Sequence, residues 1–90
     1  MKKNVPLEHP LKNGESEIKV VELRKPKAGE LRGLNTQDLL RMDVNAHRTL
    51  IPRISNITAN QFDEMELVDM TEVQTEVVSY FLKLPEFPAA

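Results

Sequence analysis

Leu11-Lys12-Asn13-Gly14-Glu15-Ser16-Glu17-Ile18-Lys19-Val20-Val21-Glu22-Leu23 decides how this chain begins to fold. Asn13-Gly14 is the strongest short signal for a β-hairpin, because both central positions of a type I′ turn need positive φ. The returning strand, Glu17 to Leu23, is rich in β-branched residues, although Val20-Val21 interrupts a strict two-residue period. On the outgoing side Val5, Leu7 and Leu11 alternate with polar residues. Pro6 and Pro10 lack amide donors, so the first strand is expected to be short or to lie at an edge. Two strands alone are marginal in water. A hairpin over residues 3–24 therefore needs helices, or another subunit, to cover its apolar side.

Downstream the pattern turns helical. Pro26 opens a short turn through Ala28-Gly29-Glu30-Leu31-Arg32, stopped by Gly33. Thr36 is the expected N-cap of a helix carrying Leu39 and Leu40, with Asp38 in its first turn. Asp43 caps a second helix, in which Val44, His47, Leu50, Ile51 and Ile54 recur at helical spacing. Pro52 must kink that helix or move its boundary. Thr58 caps a short helix from Ala59 to Met65. From Leu67 to Leu84, the residues Leu67, Met70, Val73, Val77, Phe81 and Leu84 fall three and four apart, the mark of a long amphipathic helix. Pro85 stops it, and residues 85–90 read as a loose tail. The expected architecture is α+β: one domain over 1–90, an N-terminal hairpin, then three or four helices across 27–84, the last one longest.

Composition narrows the function. Hydrophobic residues make up 40% and charged residues 29%, as in globular proteins. With four aromatic residues, Phe62, Tyr80, Phe81 and Phe87, the core must be aliphatic. The absence of cysteine removes disulfides, thiolate metal sites and thiol nucleophiles, and favours a reducing, cytoplasmic setting. No apolar run approaches a membrane span, and Met1-Lys2-Lys3 has no apolar segment behind it to make a signal peptide. Charge is uneven: residues 1–33 hold eight Lys/Arg against five Asp/Glu, and residues 34–90 hold four against nine.

A search for chemistry fails. His9 and His47 belong to no metal-ligand spacing; His9 reads as exposed and His47 as structural. There is no nucleophile elbow and no phosphate-binding glycine loop. Asp63, Glu64, Glu66 and Asp69 read as a solvated run ahead of the last helix, not as paired catalytic carboxylates. The expectation is a non-enzyme with no cofactor, no metal and no membrane or nucleic-acid partner. The alternative is a small DNA-binding regulatory protein, with a helix-turn-helix across residues 36–55 offering Asn45, His47 and Arg48, and with basic residues clustered at Arg24, Lys25, Lys27 and Arg32. No aromatic residue is interleaved there to stack on bases.

The last helix is apolar on more than one row, since Val78 and Leu82 lie beside Val77 and Phe81. That arc is either core or a contact surface.

The order of motifs resembles the small tail assembly chaperones of Mu-like and related contractile-tailed phages. The resemblance rests on the box Leu23-Arg24-Lys25-Pro26-Lys27-Ala28-Gly29-Glu30-Leu31-Arg32-Gly33. It rests also on Leu50-Ile51-Pro52-Arg53-Ile54-Ser55 and on Phe81-Leu82 at the end of the last helix, and it spans residues 5–83. One departure is Met65-Glu66-Leu67-Val68-Asp69-Met70, which lacks the family's hydroxyl N-cap before the last helix. The resemblance implies a non-catalytic protein that binds the tape measure protein and keeps it soluble during tail assembly. It also implies association with itself or with a longer, frameshifted product. The contact residues expected are Val77, Val78, Phe81 and Leu82, from the apolar arc of the last helix, with the basic Arg24, Lys25, Lys27 and Arg32 as a second surface.

Overall fold

The structure is a computed structural model describing residues 2–82; the expected tail and the stop at Pro85 lie outside the described residues. Strands β1 (Lys2–Asn13) and β2 (Ser16–Arg24) form an antiparallel hairpin, and four α-helices follow. These are α1 (Thr36–Leu40), α2 (Val44–Leu50), α3 (Ala59–Asp63) and α4 (Leu67–Ser79), with α4 the longest. The α+β architecture is the one expected.

The turn differs in detail. Asn13 pairs with Ser16, so the two loop residues are Gly14 and Glu15. Positive φ falls on Gly14 alone, at 66°, the pattern of a type II′ turn with glycine first, not of type I′.

The first strand is long rather than short, it lies at an edge of the two-stranded sheet as the prolines allow, and it is irregular. Pro6 pairs with Val20 and Leu11 with Ile18, so Leu7, Glu8, His9 and Pro10 stand opposite Lys19 alone. The two prolines bracket this excursion because neither can donate to a ladder. The extra residues bring Leu11 back to the core beside Val5, while their partners on β2, Ile18 and Val21, lie at opposite parity. The broken period at Val20-Val21 is thus the trace, on β2, of the excursion in β1.

The helices begin and end where local chemistry satisfies their free backbone groups. Asn35, not Thr36, caps α1: its side chain accepts from the Gln37 amide at 2.8 Å, which shifts the expected start by one residue. Asp43 caps α2 through the Ala46 amide at 2.9 Å. At Pro52 the α-helix has already stopped, and Ile51–Arg53 continue as a 3-10 turn. Thr58 and Gln61 form a reciprocal capping box on α3, which ends at Asp63 rather than Met65. Glu66 stands at the N-cap of α4 without a side-chain cap, as the missing hydroxyl residue foretells.

α4 is shorter than expected. After Ser79 the amides of Tyr80, Phe81 and Leu82 donate to carbonyls three residues back, so the chain tightens out of the α-helix before Leu84.

The core is aliphatic around one aromatic ring, Phe62. Val5, Leu11, Val21 and Leu23 of the hairpin meet Leu39, Leu50, Ile51, Ile54, Ile57, Val73 and Val77. Burying a valine such as Val73 or Val77 contributes about 1.5–2 kcal/mol, enough to dock α4 on β1. The hairpin is tied to the helical part through its backbone as well. The Arg24 amide donates to the Ile54 carbonyl at 3.0 Å. Asn56 accepts from the Glu22 amide at 2.9 Å and donates to the Val20 carbonyl at 3.2 Å, taking the place of a third strand at that point of the edge.

Candidate partner-binding surface

α4 is built from three kinds of residue. Val73 and Val77 are fully buried, and Met70 and Phe81 pack partly against the same core. Asp69 and Gln74 are buried polar residues with long-range tasks. The Asp69 carboxylate accepts from the Glu8 amide at 2.8 Å and the His9 amide at 3.0 Å, the two donors that the β1 excursion frees from the ladder. The expected solvated acidic run is therefore corrected at this residue: Asp69 closes the excursion and docks α4 on β1. Gln74 donates to the Met42 carbonyl at 3.1 Å. Met42 sits between α1 and α2 with φ of 62°, a left-handed conformation that a residue with a Cβ rarely adopts, and Gln74 holds it there.

The third kind faces outward. Leu67 is 73% exposed, Val68 45% and Leu82 47%, with Val78 half-buried beside them. The two apolar rows of the last helix thus separate: the Val73/Val77 row is core, and the Val68/Val78/Leu82 side is open. Among the expected contact residues, Val77 is enclosed in the core and is withdrawn from the surface. Phe81 is half-covered, and Val78 and Leu82 stay accessible. Leu67 and Val68 escaped the sequence reading. Leu67 counted there as part of the inward row, but a residue at the first turn of an uncapped helix has little core beneath it.

In the second expected surface, Arg24 is tied into the fold while its neighbours stay exposed. The Arg24 guanidinium forms a paired contact with the Glu30 carboxylate and donates to the Arg53 carbonyl at 3.0 Å. Arg53 in turn donates to the carbonyls of Glu30, at 2.8 Å, and Arg32, at 3.0 Å. Arg24 and the Lys27 amide hold the Glu30 carboxyl far below the usual range, at about 2. The box at residues 23–33 and the Ile51-Pro52-Arg53 element are therefore two halves of one staple. Lys25, Lys27 and Arg32 remain as exposed cationic side chains.

The helix-turn-helix expectation meets a different geometry. His47 is fully buried, with its Nε2 at 2.8 Å from the Leu39 carbonyl. Arg48 makes a two-pronged pair with Asp63, at 2.8 and 2.9 Å. Of the three side chains a recognition helix needed, Asn45 alone stays exposed without such a commitment.

Comparison with known proteins bears on the family. The profile described as phage tail assembly chaperone proteins, E, or 41 or 14, matches residues 4–82. Tail assembly protein E of Escherichia phage P2 is 34% identical over 78 residues, covering 84% of this chain and 86% of the relative. Tail assembly protein E′ of the same phage is 33% identical over 80 residues, covering 87% of this chain. The matched part is 56% of the length of E′, so that relative carries further sequence outside it. No solved structure matches. The match runs from the hairpin through the box, the Arg53 staple and α4 to Leu82, and on that extent this chain belongs to the phage tail assembly chaperone family.

Proposed function

We propose that this chain is a non-catalytic chaperone that binds the tape measure protein of a phage tail through the outward face of α4, and holds it in solution until the tail tube forms around it. The observation that carries the reading is the open apolar row on α4 in a member of this family. A tape measure protein is expected to be long and helical. A helix laid against an apolar face is a recurrent mode of recognition for such partners. The work takes place in the host cytoplasm. No helix among the described residues is long and apolar enough to cross a membrane. A longer, frameshifted product of the same gene is a further proposed partner, and the additional length of E′ fits that idea.

Co-expression tests the reading. The tape measure protein of the same phage is expected to be mostly insoluble alone, and soluble and co-purifying when this chain is present. Val68→Asp with Leu82→Asp should abolish co-purification while circular dichroism stays that of the wild type. No rescue of solubility by the wild-type chain would refute the proposal.

A further inference from the structure

The outward face of α4 holds more than its exposed aliphatic residues. Val68, Thr71, Thr75, Val78 and Leu82 follow one another at spacings of three, four, three and four, and Leu67 lies beside them. Within α4, at 3.6 residues per turn, Val68, Thr71, Thr75 and Val78 make a single stripe, and Leu82 follows in the tightened turn beyond Ser79. The two threonines do not interrupt it. The Thr71 hydroxyl donates to the Leu67 carbonyl at 2.8 Å and the Thr75 hydroxyl to the Thr71 carbonyl at 2.8 Å. With both hydroxyls committed to carbonyls of the helix, these two exposed residues offer the stripe no free hydroxyl donor. A shallow depression runs along this side, lined by Val68, Thr71, Glu72, Thr75 and Glu76.

The charge beside the stripe has one sign. Every ionisable residue of α4 is acidic: Asp69, Glu72 and Glu76. Asp69 is buried, and Glu76 approaches Lys3 at 3.6 Å. Glu72, directly beside Val68 and Thr75 on the helix surface, has no cationic partner among the described residues. A second copy laid on this stripe would bring carboxylates to a rim that is already acidic.

We infer that the α4 stripe is a seat for an amphipathic helix of another protein, whose apolar row is flanked by lysine or arginine on the side that meets Glu72 and Glu76. The partner's leucine or methionine side chains pack on Val68, Thr71, Thr75 and Val78, and its cations supply what Glu72 lacks. This rests on the proposed function and adds the chemistry of the segment that is bound.

Two synthetic helical peptides with the same leucine row test it, one flanked by lysine and one by glutamate. The full chain should bind the lysine-flanked peptide about 3- to 10-fold more tightly at low salt, a margin typical of a few exposed ion pairs, and the margin should shrink as salt rises. Glu72→Lys should remove the preference. Val68→Gln with Thr75→Gln, both at exposed positions, should weaken binding of both peptides while the fold is retained. Equal affinity for the two peptides, or a preference unmoved by Glu72→Lys, overturns the inference. So does sedimentation showing a dimer of the chain that Val68→Gln with Thr75→Gln dissociates, because a second copy then occupies the stripe. Co-expression separates this inference from the broader reading. Solubilisation of the tape measure protein by wild type and glutamine variant alike leaves the chaperone role standing and removes the stripe as its site. Failure of the wild-type chain to solubilise it, with the peptide preference intact, does the reverse.

Discussion

Asp69→Ala is expected to destabilise the fold by about 2–4 kcal/mol, because it strips two charge-assisted acceptors from backbone amides that have left the ladder. Such a loss is a large share of the stability of a small domain, typically 5–15 kcal/mol. Asp69→Asn, which keeps one carbonyl oxygen but no charge, should lose about half as much. Asp63 provides the contrast. It pairs with Arg48 on the exposed surface, and Asp63→Ala should change stability by about 1 kcal/mol or less. Urea unfolding of the three variants at neutral pH checks the ranking. Equal effects of Asp69→Ala and Asp63→Ala would mean that the β1 excursion does not depend on α4.

The difference between these two aspartates shows what the sequence could and could not reveal. Both belong to one acidic run and look alike in it. What separates them is a partner 60 and 61 positions away, and no local pattern carries that information. The features that were legible are settled by neighbours in sequence. Asp43 and Thr58 cap the helices that follow them, and Pro52 ends α2. The hairpin was legible too, but its loop lies one residue later than Asn13-Gly14 suggests, since the register across the strands outweighs the preference of the dipeptide. The basic box illustrates the same limit. Arg24 looks like part of a cationic surface until folding places Glu30 and Arg53 against it. On α4 the periodicity revealed that two apolar rows exist. Which one is core depends on where β1 lies, and that follows from the Asp69 contact.

The second large effect concerns pH. His47 is buried, and burial pushes its ring below the ordinary value of 6.5, against the opposing pull of the Leu39 carbonyl and Asp43. Its Nε2 meets that carbonyl at 2.8 Å, so the neutral ring with the proton on Nε2 is the form the core holds; its Nδ1 has no protein partner. Between the lowered folded value and 6.5 the unfolded chain binds more protons than the folded one, so stability falls as pH falls. The contribution is fully present above 6.5, declines below it, and is lost once pH has passed through the folded value. Within that interval the loss per pH unit has a ceiling of about 1.4 kcal/mol, the value for one whole proton taken up. The Glu30 and Asp63 carboxyls, both held below the usual carboxylate range by arginine hydrogen bonds, act at lower pH and leave this window to the histidine. Unfolding free energies measured from pH 7 to pH 5 should decline for the wild type and stay nearly flat for His47→Gln. A wild-type profile as flat as that of the variant would show that the ring reaches solvent.

On the proposed reading, the outward face of α4 takes the partner, while the Val73/Val77 row and the Arg24–Arg53 staple hold the fold. Methyl NMR of the complex with the tape measure protein distinguishes these two surfaces. The methyl resonances of Val68, Thr71, Thr75, Val78 and Leu82 should move on binding, with those of Val5, Val21 and Ile54 left in place. Shifts confined to the segment from Arg24 to Gly33, with the α4 methyls unmoved, would contradict the account.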